Sequence, residues 1–173
     1  MSPLIKVSLR YGVIAGLLGT GLVIGLYYLD RHPFLIPVYM DFRVILFAVF
    51  MFFTLKEIRD YYYGGVLYFW QGVISSFLFV ATFALSASAG IWIFAKANSE
   101  FVSSYIKMFT DYLKAYPPDA IQQIGKATYE RNLALLPSTN AFDLASLYFG
   151  QSFLIGFFVS IILSVILRRQ PKH

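Results

Sequence analysis

Side chains able to carry out chemistry are sparse in this sequence, which has two histidines, His32 and His173, and no cysteine. His32 stands beside Pro33, with Asp30 and Asp41 not far along the chain, so an imidazole near carboxylates could exchange a proton or hold a cation. A turn before proline and a helix cap explain the same residues more simply. His173 is the last residue, and neither histidine has a carboxylate cluster for a metal within its own segment. No serine elbow or metalloprotease pattern occurs, and the missing thiols exclude disulfides, thiolate metal sites and cysteine nucleophiles. The expectation is a protein that is not an enzyme and has no cofactor, metal site or catalytic residue.

What does recur at regular spacing is small and polar residues. At 100° per residue, Gly12, Gly16 and Gly19 fall on one side of a helix and Gly21 with Gly25 on the opposite side, while Ser152, Gly156, Ser160 and Ser164 form one row further along. In lipid, where packing rather than hydrophobicity brings helices together, such notches let backbones approach closely. Packing inside the chain's own four-helix bundle explains both notches, and the sharper expectation is that one of them receives a helix from another protein or a second copy. A second set, Gln71, Ser75, Ser76, Thr82 and Ser86, could line a path for an uncharged solute, although hydroxyls in such helices commonly bond the carbonyl one turn earlier. A third set, Lys56, Glu57, Arg59 and Asp60 followed by Gly64 and Gly65, crowds charge into a short hairpin. There Lys56 and Asp60 stand four apart and can pair, and a partner or anionic lipid headgroups could dock.

The elements that must position these residues are apolar runs. A composition 58% hydrophobic and only 13% charged cannot be solvated by water alone, and the runs 11–29, 37–55, 66–95 and 145–167 suit four membrane spans. The first follows Lys6 and Arg10 and is too long, with no small-residue cleavage site after it, to be a signal peptide. The second is interrupted by Pro37, Asp41 and Arg43, so it is expected to start near Pro37 with both charges snorkelling outward at the interface. The third lies within an uncharged stretch, Gly64 to Ala95, whose Trp70 and Trp92 are about 33 Å apart on a helix, the spacing of the two interfacial belts. The fourth starts after Ser138-Thr139-Asn140, with Asp143 in its first turn, and stops at Arg168-Arg169. All charged side chains can then be placed at interfaces, which argues against a pump or ion-coupled carrier.

The fold class expected is all-α, an integral membrane four-helix bundle with a two-helix extracytoplasmic segment, 96–144, between spans three and four. In that segment Phe101, Tyr105, Met108, Phe109, Tyr112 and Tyr116 form one helical stripe, Pro117-Pro118 ends it, and Ala120 to Leu136 is the second helix. Nothing between Ala95 and Phe101 firmly breaks a helix, so span three and the first exported helix are either continuous or separate. Lys6, Arg10, Lys56, Arg59, Arg168, Arg169 and Lys172 fall on one side of such a topology, which is expected to be cytoplasmic, whereas the opposite short loop offers Arg31 and Arg43. The net charge of +5 thus flanks apolar runs instead of forming a soluble basic face, and no nucleic acid is expected as a partner.

Arg10-Tyr11-Gly12-Val13-Ile14-Ala15-Gly16 at the first span, Lys56 to Asp60 with Gly64-Gly65, then Phe69, Gln71 and Gly72, and the final basic tail give the chain a family resemblance. It resembles an uncharacterised family of small four-span membrane proteins of Gram-negative bacteria, catalogued as a domain of unknown function. The resemblance covers nearly the whole chain and implies a bacterial inner membrane and four spans. It carries no activity, cofactor or catalytic residue, and the exported segment here is richer in Tyr and Phe than the family's. The functional expectation is an accessory or scaffold subunit of a larger membrane assembly, whose partners are the lipid bilayer and other subunits or a second copy. The alternative is a small pore or facilitator for an uncharged solute.

Overall fold

The computed structural model describes residues 2–37 and 40–170. The fold is all-α, as expected: 86% is helical, with no strand among the described residues. Helix α1 (Pro3–Tyr28) opens on a proline, whose missing N–H costs nothing in a first turn. It buries Val7, Ser8, Gly12, Ala15, Gly16, Gly19 and Val23, one face at three- and four-residue steps. Beyond it Asp30, at φ 57°, turns the chain back, a left-handed position that aspartate tolerates better than most residues.

Helix α2 (Phe42–Glu57) begins later than the apolar run suggested, because Asp41 caps it by accepting the Arg43 N–H at 2.9 Å. Val38 and Tyr39, inside the expected span, lie outside the described residues. At its other end α2 widens into a π turn, Ile58–Tyr62. Helix α3 (Phe69–Ala97) is capped by Gln71, whose Oε1 accepts the Tyr68 N–H at 3.0 Å. It stops at Asn98, an extended residue (φ −125°, ψ 95°) whose side chain accepts the Glu100 N–H at 3.1 Å and so starts α4 (Ser99–Lys114). Helices α3 and α4 are therefore separate. The second helix expected in 96–144 divides at Gly125 (φ 91°) into α5 (Pro118–Ile124) and α6 (Lys126–Leu135). Helix α7 (Ala141–Leu167) starts with a reciprocal cap between Asn140 and Asp143.

Small residues decide how the long helices meet. Helix α3 is central, with α1 running parallel on one flank: a methyl added at Gly12 would meet Thr82 Cβ at 2.7 Å, and one at Gly90 would meet Thr20 Oγ1 at 2.7 Å. Helix α7 runs antiparallel on the other flank, with Gly156 against Val80 and Gly72 against Ser164. Helix α2 closes the bundle by placing Phe47 edge-on to Phe83 and Phe79, ring centroids 4.7 and 5.9 Å away. Bulky side chains point outward instead. Leu17, Ile45, Leu85 and Ile166 are all more than 60% exposed, an inverted surface that suits lipid. Helices α1, α3 and α7 are each long and apolar enough to cross a membrane, while α2 has 16 residues, about 24 Å of helix.

The bundle has two distinct ends. At the tail end Leu67 and Arg169 exchange backbone hydrogen bonds of 2.9 and 2.8 Å over a cluster of Val7, Leu55, Ile58, Leu67 and Leu167. The start of α1, the hairpin after α2 and the end of α7 thus share one end. At the cap end α4 lies over the bundle with Phe101 and Tyr105 buried against Tyr27, Phe34 and Phe94. The aromatic stripe of α4 thus partly packs into the chain's own core, leaving Met108 and Tyr112 exposed.

Candidate functional site

The two glycine faces of α1 have separate fates. Gly12, Gly16 and Gly19 are consumed by α3, where a side chain on any of them would meet Thr82, Ser86 or Phe83. Gly21 and Gly25 look away from the bundle, and nothing lies within 4 Å of a methyl built on either. Gly150 of α7 is equally open, beside an apolar groove of about 690 Å³ between α3 and α7 edged by Phe77, Phe153 and Phe157. The row Ser152, Gly156, Ser160 and Ser164 faces inward and is buried.

The polar row of α3 does not share one environment. Gln71 serves the helix cap, Thr82 donates to the Leu78 carbonyl at 2.8 Å, and Ser86 donates to Thr82 O at 2.8 Å. Ser75 and Ser76 are fully buried and their hydroxyls have no partner among the described residues.

At the tail end the charged hairpin forms short pairs. Arg10 Nη2 lies 2.5 Å from Glu57 Oε2, which also accepts the Tyr11 hydroxyl at 3.0 Å. The spacing of Lys56 and Asp60 allows an ion pair, but Asp60 accepts from Arg59 Nε at 2.7 Å, which holds its carboxyl below the usual carboxylate range. Asp60 lies within the π turn Ile58–Tyr62, whose winding departs from the four-residue register. Lys56 is left over the Phe52 ring, 5.8 Å from its centroid. Gly64 (φ 57°) and Gly65 (φ 86°) take left-handed conformations that make the hairpin tight, as expected.

The cap end holds a polar cluster that sequence reasoning placed wrongly. Asp41 and Arg43 do not snorkel outward; their side chains are 9% and 6% exposed and turn in against α7. Arg43 Nε donates to both Asp41 oxygens at 2.9 Å, and Nη2 donates to Asp41 Oδ2 and to Gln151 Oε1, the latter at 2.8 Å. Nη1 donates to the Tyr148 carbonyl and to Ser152 Oγ, both at 3.3 Å, and the guanidinium stands 4.4 Å from the centroid of the Tyr148 ring. A guanidinium has five N–H donors, and here none is left for a ligand. The space beside it is about 10 Å³, room for one water at most. This cluster therefore pins the start of α2 to α7. The signal was present as Gln151-Ser152 within an apolar run, where a buried amide and hydroxyl need a partner.

His32 is also buried at the cap end, 5% exposed. Its Nε2 lies 3.1 Å from the Phe101 carbonyl and its ring stacks on Phe101 at 5.0 Å. A carbonyl only accepts, so Nε2 carries the hydrogen and Nδ1 presents a bare lone pair, without a partner among the described residues. Burial pushes the imidazole below its ordinary value of 6.5, opposed by the bond to Phe101. The unfolded chain then binds a proton that the folded chain refuses. Stability is complete above about pH 6.5 and falls as pH drops toward the lower folded value, by about 1.4 kcal/mol for each unit of displacement. His32→Gln, whose amide still reaches the Phe101 carbonyl, is expected to flatten the profile of melting temperature against pH between 7.5 and 5. His173, the other histidine, lies outside the described residues, as does Lys172.

Fold and packing define a small all-α protein with three helices able to cross a bilayer, zipped by small residues and pinned at one end by a saturated arginine. Residues 10–169 match the family described as "Protein of unknown function (DUF4199)", and the chain belongs to that family. No curated protein and no solved structure matches the chain.

Proposed function

We propose that the chain is a non-catalytic multi-pass membrane protein that works by contact, as an accessory or scaffold subunit of a larger assembly in a bacterial inner membrane. In this reading α1, α2, α3 and α7 are the four spans, and α2 completes its crossing through its π extension. The tail end is cytoplasmic, in keeping with Lys6, Arg10, Lys56, Arg59, Arg168 and Arg169 gathered there, and 96–144 is on the opposite side.

The observation that carries the contact reading is the open notch at Gly21 and Gly25, which no part of the described chain fills. A bundle that needed small residues only for itself would have no use for a second, outward face at the spacing that lets another helix approach. Exchanging both residues for leucine is expected to leave the melting temperature unchanged and to release the chain from its assembly in mild detergent. Retention at full mass by the leucine variant would remove the notch from consideration. The facilitator reading has weaker support, because Thr82 and Ser86 spend their hydroxyls on their own helix. Liposomes containing this protein alone are expected to show no solute flux.

A further inference from the structure

Beside the end of α1 and the break between α3 and α4 lies an open pocket of about 440 Å³, within the range of roughly 300–1,000 Å³ typical of ligand sites. Its lining includes the carboxylates Asp30 and Glu100, the rings of Tyr27 and Tyr28, and His32, with no lysine or arginine among the described residues. Among the described residues, the His32 Nδ1 is the one buried polar atom of that lining without a partner. Since Nε2 holds the hydrogen against the Phe101 carbonyl, that nitrogen asks for a donor from a ligand. Carboxylates likewise only accept. The carboxylates and rings attract any organic cation, and the acceptors favour one that brings its own N–H groups.

A metal ion would need its ligands to converge within about 2–2.6 Å of one point. No group of three His, Asp or Glu residues among the described residues is placed to hold one. An organic ammonium can bridge wider separations. We propose that this pocket binds a primary ammonium group, with Asp30 and Glu100 neutralising it, Tyr27 and Tyr28 flanking it and His32 Nδ1 accepting one of its N–H bonds. The ammonium has two sources, a small free amine or the ethanolamine headgroup of a phospholipid. The site's chemistry is independent of the contact function proposed above, and only the lipid source depends on the bilayer reading.

The test uses the full chain purified in maltoside detergent, titrated with ethanolamine and, at matched ionic strength, with choline, whose quaternary nitrogen has no N–H. Ethanolamine is expected to raise the melting temperature saturably and choline to raise it markedly less. Asp30→Asn keeps the left-handed position, and Glu100→Gln keeps the size of an exposed side chain; each is expected to weaken binding roughly tenfold or more. His32→Phe, which preserves the ring stack, is expected to do the same. In nanodiscs, stabilisation by phosphatidylethanolamine over phosphatidylcholine, with no further gain from free ethanolamine, would mark the headgroup as the source. A gain from free ethanolamine in both lipids would mark a soluble amine. Equal shifts from ethanolamine and choline, a shift that survives in the Asp30→Asn/Glu100→Gln double variant, or no shift in detergent or either lipid would overturn the assignment.

Discussion

Arg43→Met is expected to cost about 3–5 kcal/mol of folding stability, because it leaves the buried Asp41 carboxylate without its countercharge, holding only the backbone N–H of residue 43, and takes the donor from the Gln151 amide oxygen. The cost comes from the stranded partner more than from the pair's own attraction, since removing two charges from water nearly offsets what their contact returns. Asp41→Asn/Arg43→Met removes both charges and should recover much of the loss, although α2 keeps a capping side chain at residue 41 in both cases. Denaturant titration in mild detergent measures the two variants side by side. An Arg43→Met protein as stable as the parent would mean that the guanidinium is not the pin that joins α2 to α7.

The second large effect concerns α1. Gly12→Leu should destabilise the bundle by roughly 1–3 kcal/mol, because even the first added carbon would stand 2.7 Å from Thr82 Cβ and 2.9 Å from the Phe79 carbonyl. A carbonyl belongs to the backbone of α3 and cannot swing aside as the tip of a flexible side chain can. Gly21→Leu adds the same volume on the same helix, where nothing lies within 4 Å, and should leave folding intact. The contrast between the two variants isolates position from residue type. Equal losses would indicate that glycine matters in α1 for some reason other than the approach of α3.

The apolar runs were legible because a helix in lipid announces itself by composition over some twenty residues. The two faces of α1 were legible too, since the angular separation of Gly12 from Gly21 follows from helix geometry alone. Which face meets α3 was not, because partner choice depends on what protrudes from the other helix, here Thr82 and Ser86. The start of α2 was misplaced for a related reason. Hydropathy extends the run back to Pro37, but the carboxylate of Asp41 caps the backbone at Phe42 and a guanidinium two residues on finds acceptors on a helix more than a hundred residues away. The sequence places Arg43 near an interface; only α7 makes an inward orientation affordable. His32 was read as part of a turn, and it does sit in one. Its burial depends on α4 folding over the bundle after the break at Asn98, a long-range event with no local mark.

The central claim is that the chain crosses the bilayer with an even number of helices, its basic end inside the cell. The chain has no native cysteine, so single cysteines report position without background. Ser103→Cys on α4 and Tyr61→Cys in the charged hairpin both lie at exposed positions. A membrane-impermeant maleimide added to intact spheroplasts should label Ser103→Cys at once and Tyr61→Cys only after the membrane is broken. Labelling of Tyr61→Cys in intact spheroplasts, or equal labelling of the two, would contradict the topology on which the proposed function rests.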